Sequence, residues 1–371
     1  MEVPIIYIGF AQALFTILIF LLKRPFKIAD GLLCVLLLAV TCMFLLNIIQ
    51  YQLHIQNDTW IFSLSISFVY PASLYLYSKY LTKEIEQFKL SDLLHFTSTI
   101  LLVLALIIYG FGGKSDFLSN LVQYNKQLWL RDILGYCYLF FLWFYGILAL
   151  KNVKQFRSKI KEIYSYKSAS INLIWLHVLV ISFLIVYNII VVISILNNYK
   201  IVTQYIDLTR DVSLLVYVYM VSIWGYQQKP LIKETEETAT GKYQKSGLKD
   251  EQANEHLKKL IDFMEETEAW KDNELTVAKL ALQTKIPKHH ITQVLNEELQ
   301  KNFFTFVNEY RVEHAKEMIS SAQYQSFTFV GIAYECGFNS KTAFNNFFKK
   351  HTEMTPSEYK KSVSQKLEKG M

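Results

Sequence analysis

Phe327-Thr-Phe-Val-Gly-Ile-Ala-Tyr-Glu-Cys-Gly-Phe-Asn-Ser-Lys-Thr-Ala-Phe-Asn-Asn-Phe-Phe-Lys-Lys350 decides the fold of the C-terminal part of this chain. Phe327–Glu335 carries helical spacing, Cys336-Gly337-Phe338 forms a turn, and Ser340–Lys350 begins a second helix. Gly337 stands where a helix ends in the left-handed conformation, and Ser340 is a good N-cap. Ala343, Phe344, Phe347 and Phe348 supply a buried side, which turns the polar residues of the second helix outward.

The same pattern precedes it. Leu275–Leu282 is a short helix with Thr276 as N-cap, Gln283–Ile286 is a turn, and Pro287–Leu299 is a second helix with Pro287 in its first turn. Ile291, Val294 and Leu295 form its inner stripe. His289, His290, Thr292, Gln293 and Asn296 lie largely outside that stripe. Helix, tight turn, helix with a polar outer face is the helix-turn-helix pattern. Phe303–Ile319 is a longer helix between the two units, and Asp250–Trp270 is an amphipathic helix ahead of both.

Asn302–Lys316 (Asn-Phe-Phe-Thr-Phe-Val-Asn-Glu-Tyr-Arg-Val-Glu-His-Ala-Lys), Ile332–Phe338, Phe344–Lys350 and Thr355-Pro-Ser-Glu-Tyr359 follow in an order and spacing that resemble the DNA-binding domain of AraC/XylS-type transcription regulators. The resemblance covers about Leu275–Tyr359. The whole arrangement also resembles membrane-bound members of that family from Bacteroidetes-type bacteria. The chain departs from the family at three turns, where Lys285, Gln300 and Glu353 replace glycines. A non-glycine residue held left-handed there costs about 1 kcal/mol, so these turns are expected to differ or to be slightly strained.

The resemblance implies that both outward helices enter successive major-groove segments of double-stranded DNA, held by the Phe303–Ile319 helix. Seventeen helical residues reach about 25 Å, compatible with recognition helices near one DNA turn apart. Carried over by position, the base-edge candidates are His289, Thr292 and Gln293 in the first unit, and Lys341, Thr342, Asn345 and Asn346 in the second. Gln and Asn pair bidentately with adenine and Lys reaches guanine, whereas Lys288, Lys349 and Lys350 suit phosphates. Arg311, inside the central helix, is expected to be structural and to pair with an acidic neighbour.

Upstream of Gly225 the chain changes solvent. Roughly 17 Lys and Arg face 11 Asp and Glu up to Tyr226, and the remainder balances, so the net charge of +6 resides in the first part. It is a membrane-topology signal rather than evidence for nucleic acid. A bilayer core of about 30 Å needs about 20 apolar residues per helix. Seven stretches qualify: Val3–Leu22, Gly31–Ile49, Ile61–Tyr80, Leu93–Phe111, Leu130–Leu150, Ile171–Leu196 and Val212–Tyr226, with Pro71 a kink. Lys23, Arg24 and Lys27 follow the first stretch, the reverse of a signal peptide, and place the N-terminus outside. Basic residues then recur in alternate loops (Lys79, Lys83, Lys89; Lys151, Lys154, Arg157, Lys159, Lys161, Lys167; Lys229, Lys233) and put the C-terminal part in the cytoplasm. The expected fold class is therefore all-α, with a bundle of about seven transmembrane helices and a tandem helix-turn-helix domain. The expected domains are 1–226, a linker at 227–249, and 250–371.

These readings imply a multi-pass protein of the bacterial inner membrane that couples a signal to gene expression. Its expected partners are DNA, membrane lipid, a small ligand or membrane-protein signal, and a second copy of the chain, since few arginines on the outward helices imply modest monomer affinity. Trp60, Trp129, Asp132, His177, Asp207 and Arg210 are the candidates for a ligand pocket, set against the plainer readings of interfacial belt and interhelical hydrogen bonding. The four cysteines show no metal or disulfide spacing. No cofactor, metal or catalytic constellation is expected. The rival reading is a membrane transporter or enzyme whose soluble tail binds protein; it would require catalytic polar clusters at membrane depth.

Overall fold

The computed structural model describes residues 2–53, 60–83, 85, 87–111, 128–166, 173–196, 203–228, 248, 250–324 and 326–369. Among these residues every regular element is helical, apart from one isolated bridge, Tyr164 to Thr276. The chain divides into two compact units: Met1–Phe156 with Leu173–Leu231, and Arg157–Asn172 with Ile232–Met371. The partition differs from the expected domains at Arg157–Asn172, which joins the C-terminal unit. The expected linker at 227–249 lies largely outside the described residues.

The first unit contains α1 (Glu2–Leu22), α2 (Ile28–Gln52), α3 (Trp60–Ser67), α4 (Val69–Thr82), α5 (Thr97–Phe111), the greater part of α6 (Leu128–Ile163), α7 (Ile174–Leu196) and α8 (Thr203–Met220). Helix α1 packs on α2 and α8, α2 on α4, and α7 on α8. Four helical stretches are long and apolar enough to cross a membrane: Val3–Leu22, Ile28–Gln52, Asp132–Ile163 and Ile174–Ile193. Their outer faces are apolar, with Phe15, Leu18, Leu38, Ile147 and Ile185 each more than half exposed.

The other three expected spans take different forms. Ile61–Tyr80 is interrupted at Phe68, between α3 and α4. Pro71 explains the break: its ring clashes with the carbonyl four residues back, at Ser67, and it has no N–H to donate. Leu93–Phe111 opens as a 3-10 turn (Leu90–Phe96), leaving α5 with 15 residues, or about 22 Å at 1.5 Å each. The last span begins earlier than expected, at Thr203, and α8 ends in a π-helical turn at Val221–Gly225.

Several charged and polar groups of this unit pair internally. Asn47 Nδ2 donates to Asp211 Oδ1 at 2.9 Å, and Arg210 donates to Asp211 at 3.0 Å and to Asp207 at 2.8 Å. Lys23 bonds Asp30 at 2.7 Å, and Asp92 accepts from Lys79 and from the Tyr80 hydroxyl, each at 2.7 Å. Mutual pairing is what makes such groups tolerable among apolar helices.

The second unit contains α9 (Asp250–Thr267), a 3-10 turn (Ala269–Lys271), α10 (Val277–Thr284), α11 (Lys288–Glu297), α12 (Phe303–Ser320), α13 (Phe329–Glu335), α14 (Lys341–Thr352) and α15 (Pro356–Lys369). Two cores sit side by side. Leu260, Met264, Trp270, Leu280, Ile291 and Leu295 close on Phe303, Phe306 and Val307 from the first half of α12. Ile332, Cys336, Phe338, Phe344 and Phe348 close on Val312, Ala315, Met318 and Ile319 from its second half. Helix α12 is thus a shared wall, which fixes one helix pair relative to the other.

Candidate nucleic-acid interface

Each helix pair is delimited by the expected caps. Thr276 Oγ1 accepts from Lys279 N at 3.2 Å and starts α10, and Ser340 Oγ accepts from Ala343 N at 3.1 Å and starts α14. Pro287 is the N-cap of α11. In the second turn Gly337 has φ +78, and a Cβ there would lie 2.7 Å from the carbonyl oxygens of Trp270 and Lys271. Glycine is required on both counts. At the three turns where the resemblance implies glycine, Lys285, Gln300 and Glu353 adopt φ 58, 54 and 62. The left-handed strain is borne by L-residues.

Burial divides each outward helix cleanly. In α11, Ile291, Val294 and Leu295 are at most 1 % exposed. His289 is exposed, while Lys288, Thr292, Gln293 and Asn296 are half-buried. In α14, Phe344, Phe347 and Phe348 are buried; Lys341, Thr342, Asn346, Lys349 and Lys350 are exposed and Asn345 is half-buried. Positions 341, 342, 345, 346 and 349 share one helix face. Two side chains have local partners: Thr292 Oγ1 donates to Lys288 O at 2.9 Å, and Gln293 Nε2 donates to Glu297 Oε2 at 2.9 Å. Neighbouring His290 turns inward against His256, with ring centroids 5.4 Å apart. Burial, then His289 and His256, pushes its pKa below the usual histidine value.

Arg311 is structural, but its partners are not acidic side chains. It is 1 % exposed. It donates to Trp270 O at 2.7 Å, Asp272 O at 2.7 Å, Asn308 Oδ1 at 3.2 Å, Ser165 O at 3.2 Å and Ser165 Oγ at 3.2 Å. Burial pushes its guanidinium down to about 10. A planar fork of five donors suits this ring of oxygens, which a lysine ammonium would not fill.

Residues 280–362 match the family of the helix-turn-helix domain. The match begins within α10, covers α11 to α14 with the α12 wall, and supports an AraC-type DNA-binding transcription regulator. Comparison with curated proteins and with solved structures finds no match.

Of the ligand candidates, Asp207 and Arg210 lie together in the ion-paired cluster with Asp211 and Asn47. Asp132 and His177 are half-buried on α6 and α7. Trp60 and Trp129 begin α3 and precede Leu130 in α6, and their side chains lie outside the described residues. Sequence reasoning missed the part of the C-terminal unit supplied by Arg157–Tyr166, whose charges had the look of a topogenic loop. A signal was there: Ile160 and Tyr164 stand one helical turn apart and are both buried.

Proposed function

We propose that the chain is a membrane-embedded, sequence-specific transcription regulator that converts a signal at the membrane into altered DNA binding. The observation that carries this reading is the pair of outward helices, α11 and α14, each anchored on one half of α12 inside the matched domain. Helix α12 has 18 residues, about 27 Å of rise, which suits recognition helices spaced near one DNA turn. His289, Thr292 and Gln293 on α11, with Lys341, Thr342, Asn345 and Asn346 on α14, read base edges; Lys288, Lys349 and Lys350 hold phosphates.

The apolar, outward-facing surfaces of the first unit support lipid as its solvent. In this reading the chain crosses the inner membrane seven times, with its N-terminus outside and the reader in the cytoplasm. The signal is a small ligand or a membrane protein, received near the Asp207–Arg210–Asp211 cluster. A homodimer provides the affinity that one domain with few arginines lacks.

The test is selection of binding sites from fragmented genomic duplex DNA by the full-length chain in lipid nanodiscs at two salt concentrations. A single motif, bound more weakly at higher salt, is expected. Asn346→Ala and Gln293→Ala are each expected to relax base preference at one position by about 1–3 kcal/mol. An unchanged preference in both variants refutes the assignment of the reading residues.

A further inference from the structure

We infer that Arg157–Tyr166, bonded to α11 and bordering a groove on α14, is a competitor of DNA at the reading surface, so that the reader engages a duplex only when this segment lifts away. The inference rests on the function proposed above and names how that site is regulated.

Helix α6 has 36 residues, about 54 Å of rise, well beyond the 30 Å or so of a bilayer core. Its last turns and the three residues after Ile163 belong to the C-terminal unit. They are held there by specific bonds. Tyr164 forms the isolated bridge with Thr276, at the start of α10. Ser165 N and Oγ both donate to Leu275 O, at 3.2 Å and 2.7 Å. Ser165 O accepts from Asn308 Nδ2 at 2.8 Å and from Arg311 at 3.2 Å, and Ser165 is fully buried. The segment therefore ties the first helix pair to the middle of α12.

Two observations place it in the path of DNA. The groove beside it, about 260 Å³, is lined by Lys161, Ser165 and Tyr166 from the segment and by Asn308, Asn346 and Lys350 from α12 and α14. Asn346 and Lys350 are a base and a phosphate candidate, so a duplex seated on α14 must pass this groove. Glu162 Oε2 accepts from Asn296 Nδ2 at 3.1 Å. Asn296 stands about one turn beyond Gln293, and positions 289, 293 and 296 share a face of α11. The segment thus sets a carboxylate on the first reading face, where approaching phosphates carry like charge. Asn346, Lys341 and Thr342 stay exposed, so the segment bars approach without masking every reading residue.

The hold is also of a kind that can release. No residue of the segment belongs to either core of the C-terminal unit. Its departure breaks the Glu162 and Ser165 bonds, two of them made by Arg311, and uncovers Ile160 and Tyr164, while each helix pair keeps its own core residues. Because the segment is covalently continuous with α6, a change in that helix reaches it without any other relay.

The experiment uses the full-length chain in nanodiscs and labelled genomic duplexes recovered by the wild-type chain. Glu162→Ala removes the carboxylate and its bond to Asn296, and is expected to tighten DNA binding about tenfold, the worth of one charge-assisted hydrogen bond. In the wild-type chain, added duplex is expected to speed hydrogen exchange at the Ser165 amide, whose bond to Leu275 O marks the docked segment; exchange within α12 reports that the domain stays folded. Equal or weaker DNA binding by Glu162→Ala, or slower exchange at Ser165 with DNA bound, overturns the competitor role. Absence of any sequence preference in both proteins overturns the proposed function, and this inference with it; a clear motif with no effect of Glu162→Ala overturns the inference alone.

Discussion

Replacing Gly337 by alanine tests the packing of the second turn directly. Three terms set the size of the effect. Holding an L-residue left-handed, at φ +78, costs about 1–2 kcal/mol. The added Cβ would lie 2.7 Å from the carbonyl oxygens of Trp270 and Lys271, and the Trp270 carbonyl already accepts from Arg311 Nε at 2.7 Å. Moving that backbone aside strains the Arg311 bond and adds roughly 1–2 kcal/mol. Against this, alanine narrows the unfolded ensemble and returns about 0.4–1 kcal/mol. The expected net loss is about 2–3 kcal/mol. Gly331 is the internal control. It lies within α13, and a Cβ there meets nothing closer than Thr328 Oγ1 at 3.5 Å, so Gly331→Ala is expected to stabilise by about 0.5–1 kcal/mol. The assay is hydrogen exchange by mass spectrometry across α12–α14 of the full-length chain, with urea used to bring the domain into its unfolding range. Protection should fall for Gly337→Ala and rise for Gly331→Ala. Equal behaviour of the two variants, or a more protected Gly337→Ala, would refute the reasoning.

The other predictions use the same readout. Arg311→Met takes the donor from the Trp270 carbonyl and one of two donors from the Ser165 and Asp272 carbonyls, and is expected to destabilise the unit by about 3 kcal/mol, with Arg311→Lys recovering only part; full recovery by lysine would argue against the guanidinium geometry. Lys285→Gly and Glu353→Gly relieve left-handed strain at φ 58 and 62 and should each stabilise by up to about 1 kcal/mol; a loss at both would mean these turns depend on the longer side chains. Burial acts to raise the Asp272 carboxyl, but the Lys279 ion pair and the Glu274 N–H outweigh it and hold its pKa below the usual value. A carboxyl depressed in the folded state adds stability above its unfolded pKa and loses it as pH falls through the folded one. Asp272→Asn should therefore cost stability at neutral pH and become indistinguishable from wild type below the carboxylate range; a pH-independent difference would assign the effect to packing.

Much of the reader was legible before any coordinates. Thr276 and Ser340 cap where their short hydroxyl side chains reach back to the helix N–H groups. Ile291, Val294 and Leu295 turned out to be the buried stripe because helical spacing alone puts them on one side. Lys285, Gln300 and Glu353 were recognisable as turn positions, but only the tertiary structure shows that all three are left-handed, at φ 58, 54 and 62. Arg311 was recognisable as structural, yet its partners were not: backbone carbonyls of Ser165, Trp270 and Asp272, at two distant places in the chain, leave no trace in local sequence.

Sequence by itself determined the division into an apolar part and a charged part, the helical period of both, and the outward faces of α11 and α14. Each of these depends on neighbours within a turn or two of helix, and on the composition of solvent against which a face is stable. Tertiary structure alone decided that Asp207, Arg210, Asp211 and Asn47 pair with one another and that Arg157–Tyr166 belongs with the C-terminal unit. Ser165 stands more than 140 positions from Asn308 and Arg311, and Glu162 stands 134 from Asn296. Contacts at such separations depend on how whole helices stack, and periodicity along one helix carries no record of the helix it will meet.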